Sequence, residues 1–192
     1  MYHLVNMVSM GAARDVLLSR IVDDVAENGL GDRSLRDLAA SVDSSHRLLL
    51  YHFGSRPGLV EAIVERVEAN ERDVLARLAD AIHDPIELVR ALWRELTAPE
   101  VRPFIRLFFE TVAYSAHDGG EIRLTEPWLA TTESITARLG VRYDAVDVRL
   151  GIAVTRGLLI DVLTTGDVAT ATASLERFLG LWSAAVPHLP RN

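Results

Sequence analysis

The chain has 192 residues, 49% of them hydrophobic and 24% charged, enough to bury a sizeable core as one large domain or two small ones. It contains no cysteine, which excludes a disulfide framework and thiolate chemistry. A formal net charge of −7 excludes a protein that coats nucleic acid without regard to sequence, because that affinity comes from neutralised phosphates.

The opening stretch MYHLVNMVSMGAA is mildly apolar but lacks the basic start and unbroken hydrophobic run of a signal peptide. Arg156 and Asp161 interrupt the most apolar window, LGIAVTRGLLIDVL, well short of the ~20 apolar residues that span a bilayer. A soluble, cytoplasmic protein without a membrane partner is the expectation. Charge is unevenly spread: residues 33–56 hold four arginines against two aspartates, whereas residues 57–192 hold 14 arginines against 20 acids.

In chain order, nearly every segment has helical period. From Arg14 to Asn28, Leu17, Leu18, Ile21, Val22 and Val25 form one stripe, and Asn28-Gly29 supplies a stop. Ser34-Leu-Arg-Asp37 has the spacing of a capping box and opens a second helix with Leu35, Leu38 and Ala39 on its buried side. After a polar break at residues 41–44, a third helix runs to about Tyr51, capped by Ser44 or Asp43, with Leu48 and Leu49 available for packing. Gly54-Ser55 ends it, and Pro57 is tolerable in the first turn of a fourth helix. Leu59, Ile63, Val67, Val74, Leu78 and Ile82 extend that helix to about 25 residues behind a highly charged face. Further helices are expected at 86–97, 100–117, 121–139, 144–165 and 167–186, punctuated by Pro99, Gly119-Gly120, Gly140 and Gly166. The expected class is all-α, divided as 1–56, a connecting helix 57–82, and 83–192.

Three short helices in some 45 residues, the last two joined by a tight turn, make a helix-turn-helix. Its second helix enters the major groove, so the residues facing out must reach base edges or phosphates. Ser45, His46 and Arg47 lie in the first turn and suit base edges, arginine by a bidentate hold on guanine. Tyr51 and His52 come at the far end, beside the sugar-phosphate wall, and Arg56 sits at the next helix N-terminus, where an anion is favoured.

Residues 14–66, and above all the string Leu50-Tyr51-His52-Phe53-Gly54-Ser55-Arg56, resemble the N-terminal domain of the TetR family of bacterial transcriptional regulators. The resemblance implies a double-stranded DNA operator as partner, Ser34 as a phosphate-facing helix start, Ser45, His46 and Arg47 as base readers, Tyr51, His52 and Arg56 as backbone contacts, and Phe53 as core. Three positions depart from the family pattern. Leu50 stands where tyrosine is usual, Asp43-Ser44 replaces a Gly-Val turn, and Arg56 replaces lysine.

In that family the C-terminal helices bind a small molecule and pair two subunits. The corresponding half of this chain matches in layout only. Its aromatics can line an apolar cavity for a small-molecule effector or fill a solid core; the candidate ligand residues are Trp93, Phe108, Tyr114, His117, Trp128 and Arg156. Arg156 needs a partner in its apolar segment, either a ligand anion or Asp161 or Glu176. Small residues Gly151, Ala153 and Gly157 beside Val148, Ile152 and Leu159, with Leu175, Phe178, Leu179 and Trp182, suit a four-helix homodimer contact. No paired-histidine metal spacing, Gly-x-Ser-x-Gly elbow or phosphate-binding glycine loop occurs, so neither catalysis nor a cofactor is expected. The sequence therefore reads as a homodimeric, ligand-responsive regulator, most simply a repressor of a near-palindromic operator.

Overall fold

A computed structural model describes residues 2–117 and 124–185. Among them are nine helices and no strand: α1 Tyr2–Asn28, α2 Leu35–Ser41, α3 His46–Phe53, α4 Arg56–Ala81, α5 Pro85–Leu96, α6 Arg102–His117, α7 Glu126–Leu139, α8 Ala145–Thr165 and α9 Val168–Ala185. The all-α expectation holds. No described helix is long and apolar enough to cross a membrane. The chain divides into two compact units, one of residues 1–67 with 106–122 and the other of residues 68–105 with 123–192. This differs from the linear scheme read from sequence. The break falls inside α4 rather than at its ends, and 106–122 joins the N-terminal unit, where Tyr114 meets Arg56.

In the first unit the α1 stripe is buried as its spacing requires, with Ile21 and Val25 at 0% and 1% exposure. Gly29 ends the helix at φ 77°. Ser34 caps α2 through the full capping box, its hydroxyl accepting from the Asp37 N–H while Asp37 accepts from the Ser34 N–H. α2 packs on α3. Between them Asp43 adopts φ 49°, the only positive φ at a described non-glycine residue. Its short polar side chain is among the few that tolerate this region, which explains how aspartate can stand at this turn.

The cap of α3 is Ser45, whose Oγ accepts from the Leu48 N–H at 3.1 Å, and not Ser44 or Asp43 as its sequence implied. The shift by one residue turns Leu49 and Phe53 inward and Leu48 outward, where it is 42% exposed. At the α3–α4 junction, Gly54 takes φ 73°, and Gly58 passes so close that a Cβ built on it would overlap the Phe53 carbonyl oxygen.

In the second unit α5 starts at an Asp84 cap with Pro85 in its first turn. Trp93 donates through Nε1 to Thr172 Oγ1 at 2.8 Å, and Arg90 grips Glu176 with two bonds of 2.8 Å. α8 packs against α9 and α7, burying Leu159, Val162, Ala171, Leu175 and Leu179. The other side of this pair carries apolar residues in the open: Val146 (72% exposed), Leu150 (50%) and Ile160 (47%) on α8, and Leu181 (57%) on α9.

Candidate functional site

The first unit presents α3 as a small outward face. Burying Leu49 (0% exposed) and Phe53 on the inner side leaves Arg47, Leu48 and Tyr51 outside. The Tyr51 ring meets the half-buried His52 edge-on at 5.0 Å, which steadies the far end of the helix. His46 is half-buried and Ser45 is exposed beside it, its Oγ engaged in the cap. Ser34 lies exposed at the start of α2, its hydroxyl also donating to Asp37 at 2.7 Å. Bonds from the Ser34 hydroxyl and N–H hold the Asp37 carboxyl below its usual range.

The arginines of this stretch divide by role. Arg33 is tied to Asp24 (2.7 Å), Ser41 Oγ (2.7 Å) and the Gly29 carbonyl (3.1 Å). Arg56, expected to face phosphate, is engaged within its own unit. Its Nε donates to the Arg33 carbonyl at 3.0 Å and a terminal nitrogen to the Gly31 carbonyl, while its guanidinium lies 4.5 Å over the Tyr114 ring. It fastens the α1–α2 loop to the start of α4 because loop carbonyls without helical partners surround it. Arg36 and Arg47 are the exposed ones.

The second unit holds a partly open cavity of about 130 Å³ among α4, α5, α7, α8 and α9. Its walls are nearly all apolar, with a column of aromatic rings: Phe178 stacks on Trp182 at 5.7 Å, and Trp182 on Tyr143 at 5.3 Å. Two carboxyl groups one helical turn apart on α4 stand beside it. Glu68, 4% exposed, accepts from Arg156 at 2.8 Å, from Arg72 at 3.5 Å and from the Trp128 indole N–H. Glu71 lines the cavity, and its Oε1 is buried without a hydrogen-bond partner among the described residues. Burial, reinforced by the charge of Glu68 and opposed by Arg156 and Arg72, raises its pKa to about 8. Trp182 Nε1 is a second buried atom without a partner.

Of the six residues expected to touch a ligand, Trp128 and Arg156 line this cavity. Arg156 is neutralised by Glu68 and also donates to the Leu124 carbonyl at 3.0 Å, whereas Glu176 serves Arg90. Trp93 is spent on Thr172; Phe108 is buried in the first unit against Phe109; Tyr114 lies under Arg56; His117 is exposed at the end of α6. The sequence reading missed Glu71, Tyr143, Phe178 and Trp182 as wall residues. Glu71 was hidden in what reads as the charged, solvated face of a long helix, and nothing in its spacing separates it from Glu61 or Glu65, which are exposed. Among the described residues no group of three or more histidine, aspartate or glutamate side chains could hold a metal ion.

Comparison of the sequence with protein-family models finds no match, and comparison with curated proteins finds none either. Solved structures do match. A TetR-family transcriptional regulator of Pectobacterium atrosepticum is 22% identical with a TM-score of 0.69, over 96% of this chain and 98% of that one. The multidrug binding protein EbrR, complexed with imidazole, is 22% identical with a TM-score of 0.66, over 93% and 97%. A Streptomyces coelicolor A3(2) protein described as a transcriptional regulator is 20% identical with a TM-score of 0.71, over 88% and 98%. At these identities the likeness establishes the fold. The chain has the all-helical fold of these proteins, along almost its whole length.

Proposed function

We propose that the protein is a homodimeric transcriptional regulator of the TetR type, most simply a repressor, that reads a near-palindromic operator through α3 and lets go when a small molecule fills the cavity of its second unit. The observation that carries this reading is the outward face of α3, where Arg47, Leu48 and Tyr51 stand exposed on a helix fixed from behind by Leu49 and Phe53. Arg47 suits guanine, and Leu48 adds an apolar contact of the kind that thymine methyl groups accept. Ser34, Tyr51 and His52 serve the phosphate wall, with Ser45 and His46 beside Arg47. The role of Arg56 is to position this face. Work on a bacterial chromosome puts the protein in the cytoplasm.

The effector half of the reading rests on the cavity, and the multidrug-binding neighbour supports it. α4 carries Arg56 at its first turn and Glu71 on the cavity wall, so a single element has residues at both places. A ligand that favours one setting of α4 changes DNA affinity, and DNA changes ligand affinity by the same factor.

In a gel-shift titration against sites selected from genomic fragments, Arg47→Ala is expected to weaken operator binding by about 1–3 kcal/mol and to affect random DNA far less. Equal affinity of the variant and the parent for the selected site would remove Arg47 from the base-reading set. The exposed row Val146, Leu150 and Ile160 supplies the subunit contact in this reading. Leu150→Glu with Ile160→Glu should therefore give monomers in sedimentation velocity, and a species that stays dimeric would move the contact elsewhere.

A further inference from the structure

Two residues that line the cavity carry a buried polar atom without a hydrogen-bond partner among the described residues: Glu71 Oε1 and Trp182 Nε1. Several polar groups nearby are already engaged. Glu68 collects Arg72, Arg156 and Trp128, and the wall hydroxyls of Thr136 and Thr155 donate one turn back to the Thr132 and Gly151 carbonyls at 2.8 and 2.9 Å. Buried polar groups are seldom left unpaired, and an otherwise apolar hollow with one or two such groups is the usual form of a ligand site.

We propose that the effector is a small lipophilic amine, a single ring carrying a basic nitrogen, seated with the nitrogen against the Glu71 carboxyl and the ring among Trp128, Phe178 and Trp182. This deepens the effector reading given above and rests on it. The cavity has room for a single ring, its about 130 Å³ being close to the ~150 Å³ engineered cavity that takes benzene, and it adjoins a second hollow of about 300 Å³ through Thr132, Thr136, Tyr143 and Val148. An anion is the poorer fit. Arg156 already serves Glu68 and the Leu124 carbonyl, and an anion beside it would face two carboxyl groups.

The charge balance also favours an amine. The groups facing Glu71 are Glu68 and Arg72 from α4 and Arg156 from α8, with Tyr143, itself raised by burial and by the charge of Asp84, on the same wall. α5, α7 and α9 place no charged side chain on the cavity. With the Glu71 pKa raised to about 8, the carboxyl keeps its proton at neutral pH. A neutral amine entering the cavity takes that proton: the N–H bond forms as the O–H bond breaks, leaving an ammonium–carboxylate pair and no change in the total charge of the site. Trp182 Nε1 adds a donor for one acceptor on the ligand.

The test is a titration of the full chain followed by tryptophan fluorescence, with benzylamine and its neutral counterpart benzyl alcohol, from pH 6 to 9, on the parent and on Glu71→Gln. At pH 6 to 8 the amine arrives mainly as its cation, so Glu71 must release a proton to bind it. Benzylamine affinity for the parent is expected to rise about tenfold per pH unit up to about pH 8. At pH 8 Glu71→Gln should lose benzylamine affinity by about tenfold or more, and benzyl alcohol affinity by a much smaller factor. Equal affinities of the parent for the two compounds at pH 8, or full benzylamine binding by Glu71→Gln, would overturn the amine assignment and leave the effector cavity standing. If neither compound bound either protein, the cavity would not be a ligand site, and both readings would fall.

Discussion

Replacing Glu68 by alanine is expected to cost about 3–5 kcal/mol, the penalty for breaking a buried ion pair by removing one partner. Arg72 and Arg156 would lose their shared carboxylate at 17% and 21% side-chain exposure, and the Trp128 indole N–H its acceptor. At roughly 2–4 °C per kcal/mol for a chain of this size, the melting midpoint should fall by about 6–20 °C. Replacing Glu71 by glutamine should instead stabilise the chain at high pH. Its folded-state pKa, raised to about 8 from an ordinary 4.5, means that the folded chain holds a proton which the unfolded chain has released. The stability this confers is complete below the unfolded value and is lost as pH rises toward the folded one, by about 1.4 kcal/mol per pH unit. Glu71→Gln lacks that slope, so it should match the parent near pH 5 and melt higher at pH 8. Thermal melts of both variants at the two pH values decide the matter; a Glu68→Ala protein as stable as the parent would show that the ion cluster contributes nothing net.

The second large effect is expected at Gly58. Alanine is the better helix former by roughly 1 kcal/mol, and on propensity alone the substitution would stabilise α4. The added Cβ, however, would overlap the Phe53 carbonyl oxygen, a backbone atom that cannot swing aside as a side-chain end can. Overpacking costs about 1–3 kcal/mol and more where backbone must move, so the net loss should be near 2 kcal/mol. Because relief requires shifting the end of α3 against α4, the proposed function has DNA affinity falling as well. A Gly58→Ala protein with unchanged melting and unchanged gel-shift affinity would show that the junction yields freely.

The helices and their order were legible in the sequence because each rests on local physics. The α1 stripe from Leu17 to Val25, the Ser34–Asp37 box, Pro85 in the first turn of α5 and the stops at Gly29, Gly140 and Gly166 depend on neighbours within a few residues. The outward placing of Arg47 and Tyr51 followed from the same periodicity.

What the tertiary structure alone decided is which charged groups meet partners far along the chain. Arg56 has the residue type and helix-start position of a phosphate contact, and the folded chain also sets it against the carbonyls of Gly31 and Arg33 and the ring of Tyr114. Glu68 and Glu71 have the spacing of a solvated face, yet helices more than fifty residues away pack over them, and among the described residues Glu68 gathers three donors while Glu71 Oε1 is buried without one. Periodicity reports which side of a helix is apolar; burial of a charge depends on what packs over it, and only the folded chain brings those groups together.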